Sequence, residues 1–174
     1  MKQDRRDQAT INFEVYQGKT NFLGIASVTL PNASFLTQTM SGSGISGNVE
    51  AVLRGQMDAM SLTLNWRNLT QESAALATPE RHDIELRAAL QVEDPVKRTI
   101  EVRAVKHVFV VIPKTMTGGN IAPASTGDAG SEYAVRYWAY YIDGKKQMEL
   151  DPFNSICYIN GKDWLQPVRK ALGH

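Results

Sequence analysis

Few residues of this sequence carry reactive side chains, and those that do lie far apart. The histidines are His82, His107 and His174, and none has a second potential ligand at the spacing of a metal site. The single cysteine, Cys157, lies in an apolar run without a nearby histidine, which favours a buried and inert thiol over a nucleophile. We therefore predict neither a metal site nor a catalytic cysteine.

A carboxylate pair is the remaining possibility for catalysis. Glu149 and Asp151 could flank a scissile glycosidic bond, as the acid and base of a glycosidase do. Strand alternation, however, places both on one strand face beside Arg136 and Lys145, where ion pairing is the ordinary explanation. The motifs of serine hydrolases, zinc peptidases and P-loop enzymes are absent from the sequence. We predict that the protein is not an enzyme.

A glycine-rich segment resembles a cofactor motif in its spacing only. Gly42, Gly44 and Gly47 have the spacing of the dinucleotide-binding fingerprint. That fingerprint requires a buried strand before it and a helix after it. Here a polar run, residues 37–41, precedes the glycines and no alternating helices and strands follow. A turn between two long strands explains the glycines better, and no cofactor is predicted.

The totals limit the class of protein. The chain has 174 residues, which is enough for one domain with a sizeable core, and its formal net charge is +1. A dedicated nucleic-acid binder would need a basic excess. One cysteine cannot form an intramolecular disulfide, and the polar N-terminus lacks the apolar segment of a signal peptide. No apolar run has the length of a membrane span, so we expect a cytoplasmic product without membrane insertion.

The most informative stretch runs from Ser131 to Tyr158 and predicts a β-hairpin. Two strand-like runs flank Asp143-Gly144, a dipeptide typical of a two-residue turn. With that turn, Tyr137 should face Leu150. One face then suits a core and contains Tyr133, Val135, Tyr137, Ala139, Met148 and Leu150. The other face contains Glu132, Arg136, Trp138, Tyr140, Gln147, Glu149 and Asp151, and it is either a docking surface or a half-solvated sheet face.

A second hairpin is predicted from two alternating runs, residues 82–91 and 98–112, with residues 92–96 as the loop. The charges are arranged so that Glu85 would oppose Arg103 and Arg87 would oppose Glu101. This register predicts a ladder of opposite charges on the outward face. Ile100, Val102 and Ala104 would then point inward.

The remaining segments predict a mainly β protein with minor helix. Further strands are expected at residues 11–16, 26–30, 49–53 and 59–66. An internal helix should begin near Asn68 or Thr70 and stop at Pro79. A C-terminal helix should span Trp164 to Leu172, with Asp163 and Gln166 forming a capping box at its start. Residues 1–10 are expected to be a flexible arm and residues 113–131 a long loop. We predict a single domain over residues 1–174.

The order of motifs in the last third of the chain resembles the major tail tube protein of contractile-tailed phages. These motifs are Tyr140, the run Ile142-Asp143-Gly144-Lys145, Glu149, Asp151, Asn154, the turn Ile159-Asn160-Gly161-x-Asp163-x-Leu165, Arg169 and Leu172-Gly173. Upstream, Val28-Thr29-Leu30-Pro31, the glycine turn and Met60-Ser61-Leu62 with Trp66 follow in the same order. The resemblance extends from about Asn21 to the C-terminus.

The resemblance implies an antiparallel β-sandwich or barrel-like subunit that forms stacked hexameric rings inside a contractile sheath. DNA, or ions and effectors in headless particles, would pass through the lumen. The implied partners are copies of the chain itself, the sheath, baseplate, tape measure and tail terminator proteins, and non-specifically bound double-stranded DNA. The implied location is the virion tail, with assembly in the host cytoplasm.

Candidate site residues follow from this implied role. The candidates for the lumen lining are Thr37, Thr39, Ser41, Glu85, Arg87, Glu101 and Arg103. The candidates for contacts between subunits are Gly42, Gly44, Gly47, Arg136, Trp138, Tyr140, Trp164 and Arg169. The glycine turn and the loop 113–131 are expected to contact the adjacent ring.

Two other functions fit the same sequence. A headless phage-tail-like bacteriocin or a type VI secretion system uses a related tube, and a β-sandwich can also be a carbohydrate-binding domain. Neighbouring genes for a sheath and a tape measure would favour the tube, whereas a secretion signal or glycan binding would favour the carbohydrate-binding domain.

Overall fold

A computed structural model describes residues 5–174 and shows a chain made mostly of antiparallel strands. The strands are β1 (Arg6–Gln17), β2 (Asn21–Phe22), β3 (Ser27–Thr29), β4 (Phe35–Gly42), β5 (Ile45–Met57), β6 (Met60–Trp66), β7 (His82–Asp94), β8 (Thr99–Thr117), β9 (Ala129–Ile142), β10 (Lys145–Asp151), β11 (Ile156–Ile159) and β12 (Lys162–Asp163). The helices are α1 (Gln71–Ala75) and α2 (Gln166–Ala171). This confirms the predicted fold class, including the internal and C-terminal helices.

One ten-stranded sheet forms the body of the molecule. Its order is β12-β11-β10-β9-β8-β7-β1-β2, and β9 also pairs with β6, which in turn pairs with β3. Strand β9 is therefore shared by two branches of the sheet. The core cluster joins Leu62 and Leu64 of β6 to Ile84 of β7 and Phe109 of β8. All four side chains are at most 1% exposed.

The β9–β10 hairpin has the predicted turn but a different register. Asp143 and Gly144 both have positive φ, as a two-residue turn of this kind requires, and Ile142 pairs with Lys145. A register shift after Lys146 then pairs Leu150 with Trp138 and not with Tyr137. A β-bulge inserts one residue into one strand and so exchanges the faces beyond it. A second shift, in which Val110 pairs with Tyr137 but Val111 pairs with Val135, makes Arg136 an extra residue in β9 and puts Trp138 on the buried face of Val135. The predicted placement of Trp138 on the outer face is therefore wrong.

The β7–β8 hairpin also has a different register. Strand β7 continues to Asp94, whose carboxylate accepts hydrogen bonds from the backbone N–H groups of Val96 and Lys97 and closes the turn. Glu85 is consequently opposite Val108, and Arg87 is opposite Lys106. The predicted charge ladder is absent from this hairpin. The predicted inward positions of Ile100 and Val102 are also wrong, because each is 65% exposed.

The predicted arm and long loop are largely strands. Residues 6–10 belong to β1 and pair with the end of β7, where the side-chain amide of Gln8 donates to Glu93. Residues 1–4 of the predicted arm lie outside the described residues. Strand β8 runs on to Thr117 and β9 begins at Ala129, so the loop is confined to residues 118–128. The backbone N–H of Gly127 in this loop donates to the carbonyl of Arg67 and the side chain of Asn68.

The two helices are short and are held differently. Thr70 caps α1, and its hydroxyl accepts from the backbone N–H of Ser73 while the Ser73 hydroxyl accepts from the N–H of Thr70. No side chain forms a capping hydrogen bond at the start of α2, so the predicted capping box of Asp163 and Gln166 is wrong. Asp163 instead accepts from the N–H groups of Cys157 and Leu165.

The β4–β5 hairpin forms a separate two-stranded sheet. Every residue of β4 is exposed, and only Gly55 of β5 is buried. An isolated two-stranded hairpin is marginally stable in water because it has little apolar surface to bury. This hairpin therefore requires a partner surface outside the described chain or unusual support at its base.

Candidate assembly surfaces

The β4–β5 hairpin has one apolar face and one polar face. Cross-strand pairing sets Met40 opposite Val49 and Gln38 opposite Ala51, and alternation adds Leu36 and Leu53 to the same side. These four large apolar side chains are between 41% and 51% exposed. A contiguous exposed apolar patch of a few hundred Å² commonly marks a protein–protein interface.

The other face of the hairpin is polar and contains the first set of lumen candidates. Thr37 pairs with Val52 and Thr39 with Glu50, and all four are on or near the solvent-exposed surface. Ser41 follows them, next to a register shift in the ladder. The predicted uncharged run is thus presented on one surface, opposite the apolar face.

Glycines shape both ends of the hairpin. Gly42, Gly44 and Gly47 lie at its tip, and each has positive φ with open space around it. Gly55, near its base, has a φ of +69°, and a Cβ atom at this position would come 2.6 Å from Leu165. Within one chain, the tip glycines therefore serve the backbone geometry of the turn. Gly55 additionally allows the hairpin base to approach the segment that precedes α2.

The second set of lumen candidates is divided between two faces of the sheet. Nε of Arg87 lies 2.6 Å from the carboxylate of Glu85, and the guanidinium lies over the Tyr16 ring. Glu101 and Arg103 point to the opposite face, because they pair with Val92 and Leu90 on the core side of β7. The structure does not bring these four residues into one stripe.

Glu101 and Arg103 each have a separate ionic partner. Arg5 lies 3.4 Å from Glu101, and Arg103 lies 3.4 Å from Asp143 in the β9–β10 turn. The Asp143 carboxylate also accepts from the backbone N–H of Ala104. These contacts fix the end of the β9–β10 hairpin to β8.

Of two predicted aromatic contact residues, Trp138 is part of the core and Tyr140 packs against it. Trp138 is 7% exposed and its indole N–H donates to Nδ1 of His107 at 3.2 Å. Tyr140 is half-buried and its ring centroid is 5.5 Å from that of His107. Burial lowers the pKa of His107 to about 4, so the imidazole is neutral at neutral pH. The prediction that Trp138 lies on a docking face is wrong.

The other contact candidates differ in how free their side chains are. Arg136 is exposed over the ring of Phe153, and Trp164 is 39% exposed beneath the ammonium group of Lys162. The guanidinium of Arg169 is already bonded within its own chain, because it donates to the Asp163 carboxylate at 2.6 Å and to the carbonyl of Ser155. Arg136 and Trp164 are the better candidates for contacts with another molecule.

The carboxylates considered for catalysis have structural partners. Glu149 accepts from Lys146 and from the Tyr137 hydroxyl, and Asp151 accepts from the backbone and side chain of Asn154. Burial, together with Glu149, raises the pKa of Tyr137. Residues 5–174 contain no cluster of three or more His, Cys, Asp or Glu side chains suited to a metal ion. Within the same residues no helix is long and apolar enough to span a membrane.

Comparison with known protein families gives the chain its class. The family model described as phage tail tube protein FII matches residues 7–173. This chain belongs to the phage tail tube protein FII family. The match includes most of residues 1–20, whereas the resemblance noted in the sequence began at about Asn21.

A curated relative of this tail tube protein comes from Escherichia phage P2. That tail tube protein is 25% identical in an alignment 166 residues long, which covers 91% of this chain and 93% of the phage P2 protein. Family membership favours a structural tube role over the carbohydrate-binding alternative.

Two solved structures from an extracellular contractile injection system share the fold. A chain of its extended sheath/tube terminator assembly is 12% identical, has a TM-score of 0.53, and aligns over 77% of this tail tube protein and 96% of its own length. A chain of its extended sheath-tube complex is 15% identical, has a TM-score of 0.51, and aligns over 75% and 88%. These likenesses concern the fold of the tail tube protein and not its function.

The apolar face of the β4–β5 hairpin was not among the sequence predictions. The alternation of Leu36, Gln38 and Met40 with that of Val49, Ala51 and Leu53 was available to show it. In a tail tube protein this surface is the strongest structural candidate for contact between copies.

Proposed function

We propose that this chain is the repeating subunit of a tail tube, in which hexameric rings stack into a hollow conduit inside a contractile sheath. The observation that carries the proposal is the β4–β5 hairpin, whose apolar face is exposed in the single chain. Such a face is stabilised once another copy covers it, since burial of apolar surface drives most protein association. Family membership supports the tube as the assembly formed.

The free edge of the main sheet supports a closed ring. Strand β1 pairs with β7 along one side, but on its other side β2 covers only Tyr16 and Gln17. An unpaired edge of this length promotes association, and closing the sheet across subunits removes it. A head-to-tail interface closes into a ring when the rotation is complete, and stacked rings form an open assembly.

The polar faces are the proposed lumen lining. Thr37, Thr39 and Ser41 share the face opposite the apolar one with a single acidic and a single basic residue, Glu50 and Arg54, so its charge is balanced. A covered apolar face leaves this polar face open to solvent. The Glu85–Arg87 pair offers balanced charge on the outer face of β7. Glu101 and Arg103 lie on the other face of the sheet and would line the lumen only if that face were turned inward.

An uncharged or balanced lining suits a passage through which DNA slides. Fixed cationic side chains would bind phosphates and retard the strand. Double-stranded DNA is therefore a non-specific passenger in a genome-bearing particle, and ions or effectors replace it in a headless one. The phage relative and the injection-system folds fit these two versions equally well.

The remaining surfaces are proposed for stacking and for other tail proteins. The glycine tip of the hairpin and the loop 118–128, where Ile121 is fully exposed, are candidates for the adjacent ring. Arg136 and Trp164 are candidates for lateral contacts. The sheath, the baseplate, the tape measure and the tail terminator complete the proposed set of partners in the virion tail, and assembly takes place in the host cytoplasm.

Electron microscopy across a concentration series tests this function directly. We expect negative-stain images of the purified protein to show rings or tubes of uniform bore, and size-exclusion chromatography to show a shift from monomer to ring with concentration. A monomer at every concentration, or aggregates without a bore, would contradict the proposal.

A further inference from the structure

We propose that the apolar face of the β4–β5 hairpin binds an uncovered apolar cleft on the neighbouring copy, formed by β1, β3, β7 and β8. This inference rests on the proposed ring assembly and identifies the receptor surface for the hairpin. A single contact between two chains then covers both the apolar face of the hairpin and the cleft, neither of which has a partner within one chain.

The cleft has a volume of about 310 Å³ and is lined by side chains of β1, β7 and β8 and by Val28 and Leu30. Its lining consists of Thr10, Phe13, Val28, Leu30, Leu86, Ala88, Leu90, Val105 and His107. At ~30 Å³ per molecule, an open cleft of this size holds roughly ten waters against an apolar lining. Releasing these waters favours an apolar occupant.

The absence of charge on both surfaces favours the hairpin as that occupant. No lining residue of the cleft carries a charge at neutral pH, since His107 stays neutral down to about pH 4. The apolar face of the hairpin is also uncharged, whereas its opposite face carries Glu50 and Arg54. A charged partner segment would lose hydration in this cleft without gaining a counter-charge. An uncharged β-ribbon with large aliphatic side chains avoids the cost of burying a charge.

The hairpin is anchored away from the cleft of its own chain. Its base, residues 52–55 with Phe35, lines a second apolar cleft of about 260 Å³ together with Cys157, Ile159 and Trp164. Gly55 touches Leu165, which is 4% exposed. Because these contacts hold the base against β11 and the α2 segment, the cleft is filled by the hairpin of another copy.

A donor and acceptor pair on different parts of one chain makes a head-to-tail contact. Each subunit then donates one hairpin and accepts one, which is the requirement for a ring. The apolar face is buried in the neighbour, and the polar face with Thr37 and Thr39 is left to solvent.

A mixing experiment with two defective variants tests the contact. The donor-defective variant is Met40→Lys with Val49→Glu, which replaces a directly opposed apolar pair by an ion pair and preserves hairpin pairing. The acceptor-defective variant is Leu30→Glu, at a cleft residue that is 40% exposed. Leu90→Gln is a second acceptor variant in case the first fails to fold, and circular dichroism checks each fold.

Matched controls alter equally exposed positions elsewhere. Thr39→Lys creates the same kind of ion pair with Glu50 on the polar face of the hairpin. Leu69→Glu changes a leucine that is 54% exposed and lies just before the cap of α1. Both control variants are expected to assemble like the unaltered protein.

Each defective variant alone should be monomeric, and an equimolar mixture should give heterodimers and nothing larger. The intact hairpin of the acceptor variant can enter the intact cleft of the donor variant, but both free ends of that pair are blocked. Adding Leu36→Cys to the acceptor variant and Thr10→Cys to the donor variant should trap the heterodimer as a disulfide, in a background with Cys157→Ser. Size-exclusion chromatography with light scattering gives the masses.

The outcomes separate this contact from the ring proposal. If the unaltered protein forms rings but the folded mixture stays monomeric and untrapped, the hairpin binds elsewhere and the inference is wrong. Assembly by either defective variant alone has the same meaning. If the unaltered protein forms no rings while the mixture still gives heterodimers, the contact holds and the ring proposal fails.

Discussion

His107 connects a buried aromatic cluster to the acid stability of the protein. Its ring stacks near Phe109 and accepts the indole N–H of Trp138 within the core. Burial lowers the pKa from 6.5 to about 4 in the folded chain. The unfolded chain therefore binds a proton between pH 6.5 and 4 that the folded chain does not, and stability falls as the pH falls through this window. The largest loss from this group is about 3 kcal/mol.

The variant His107→Gln should remove this part of the pH dependence, because glutamine keeps an acceptor for Trp138 and does not titrate. The measurement is urea unfolding at several pH values between 4 and 7. At each pH, the free energy of unfolding of the variant is subtracted from that of the unaltered protein. His82→Gln is the matched control. If the free energy of unfolding depends on pH in the same way for the unaltered protein and for His107→Gln, then His107 is not the source of this pH dependence.

Arg169 holds the C-terminal helix, which buries none of its own residues. It bonds the Asp163 carboxylate and the Ser155 carbonyl. Burial of Asp163 opposes ionisation, but the Arg169 guanidinium and two backbone N–H groups outweigh it and lower the pKa of Asp163. This contribution is present at neutral pH and is lost as the pH falls through the lowered pKa.

We expect Arg169→Ala to reduce the free energy of unfolding by about 1–3 kcal/mol, since it removes charge-assisted hydrogen bonds from a partly buried carboxylate. The neighbouring variant Lys170→Ala changes an exposed side chain and should stay within about 0.5 kcal/mol of the unaltered protein. Chemical denaturation measures both. Equal effects of the two substitutions would show that the Arg169 contacts contribute nothing specific.

Among the elements, the β4–β5 hairpin depends most on a single residue at its base. A side chain at Gly55 would meet Leu165 in addition to straining a positive φ, whereas Gly44 at the tip has open space around it. Gly55→Ala should therefore cost more stability than Gly44→Ala, by about 1–3 kcal/mol, because overpacking adds to backbone strain. Thermal unfolding of both variants measures the difference. Similar melting temperatures would mean that the hairpin base does not pack tightly on Leu165.

Element types were predictable from the sequence, but registers were not. Alternation in residues 82–91 and the Asp143-Gly144 turn gave strands and a hairpin correctly, because the period of two is a local property. The faces of Trp138, Ile100 and Val102 depended on a bulge and on the carboxylate of Asp94 closing a turn. Shifting a register by an odd number of residues exchanges the two faces, so these local details changed which side chains reach the surface.

At the scale of the whole molecule, the order of motifs predicted the family, but the site required three dimensions. The motif order in the last third and the family match agree. The exposed apolar face of the β4–β5 hairpin and the uncovered cleft were not predictable, because each is defined by what fails to cover it. Alternation shows that a strand has an apolar face, and only the packed chain shows whether that face has a partner.

Assembly driven by these uncharged surfaces has a characteristic response to solution conditions. The chain carries a formal net charge of only +1, and both the hairpin face and the cleft lack charged side chains. Salt shortens the Debye length from about 10 Å at 0.1 M to about 3 Å at 1 M and weakens charge-driven contacts. Apolar burial is instead strengthened by sulfate and weakened by cooling.

We therefore expect the concentration at which rings form to change little between ~0.1 and ~1 M sodium chloride, to fall in sodium sulfate, and to rise on cooling from 25 °C towards 5 °C. Sedimentation at each condition measures the assembled fraction. Thr39→Lys, which adds a charge to the polar face alone, should respond to salt, sulfate and temperature in the same way. Dissolution of rings by sodium chloride would show that charge–charge contacts between copies dominate, and the apolar hairpin would then be secondary to them.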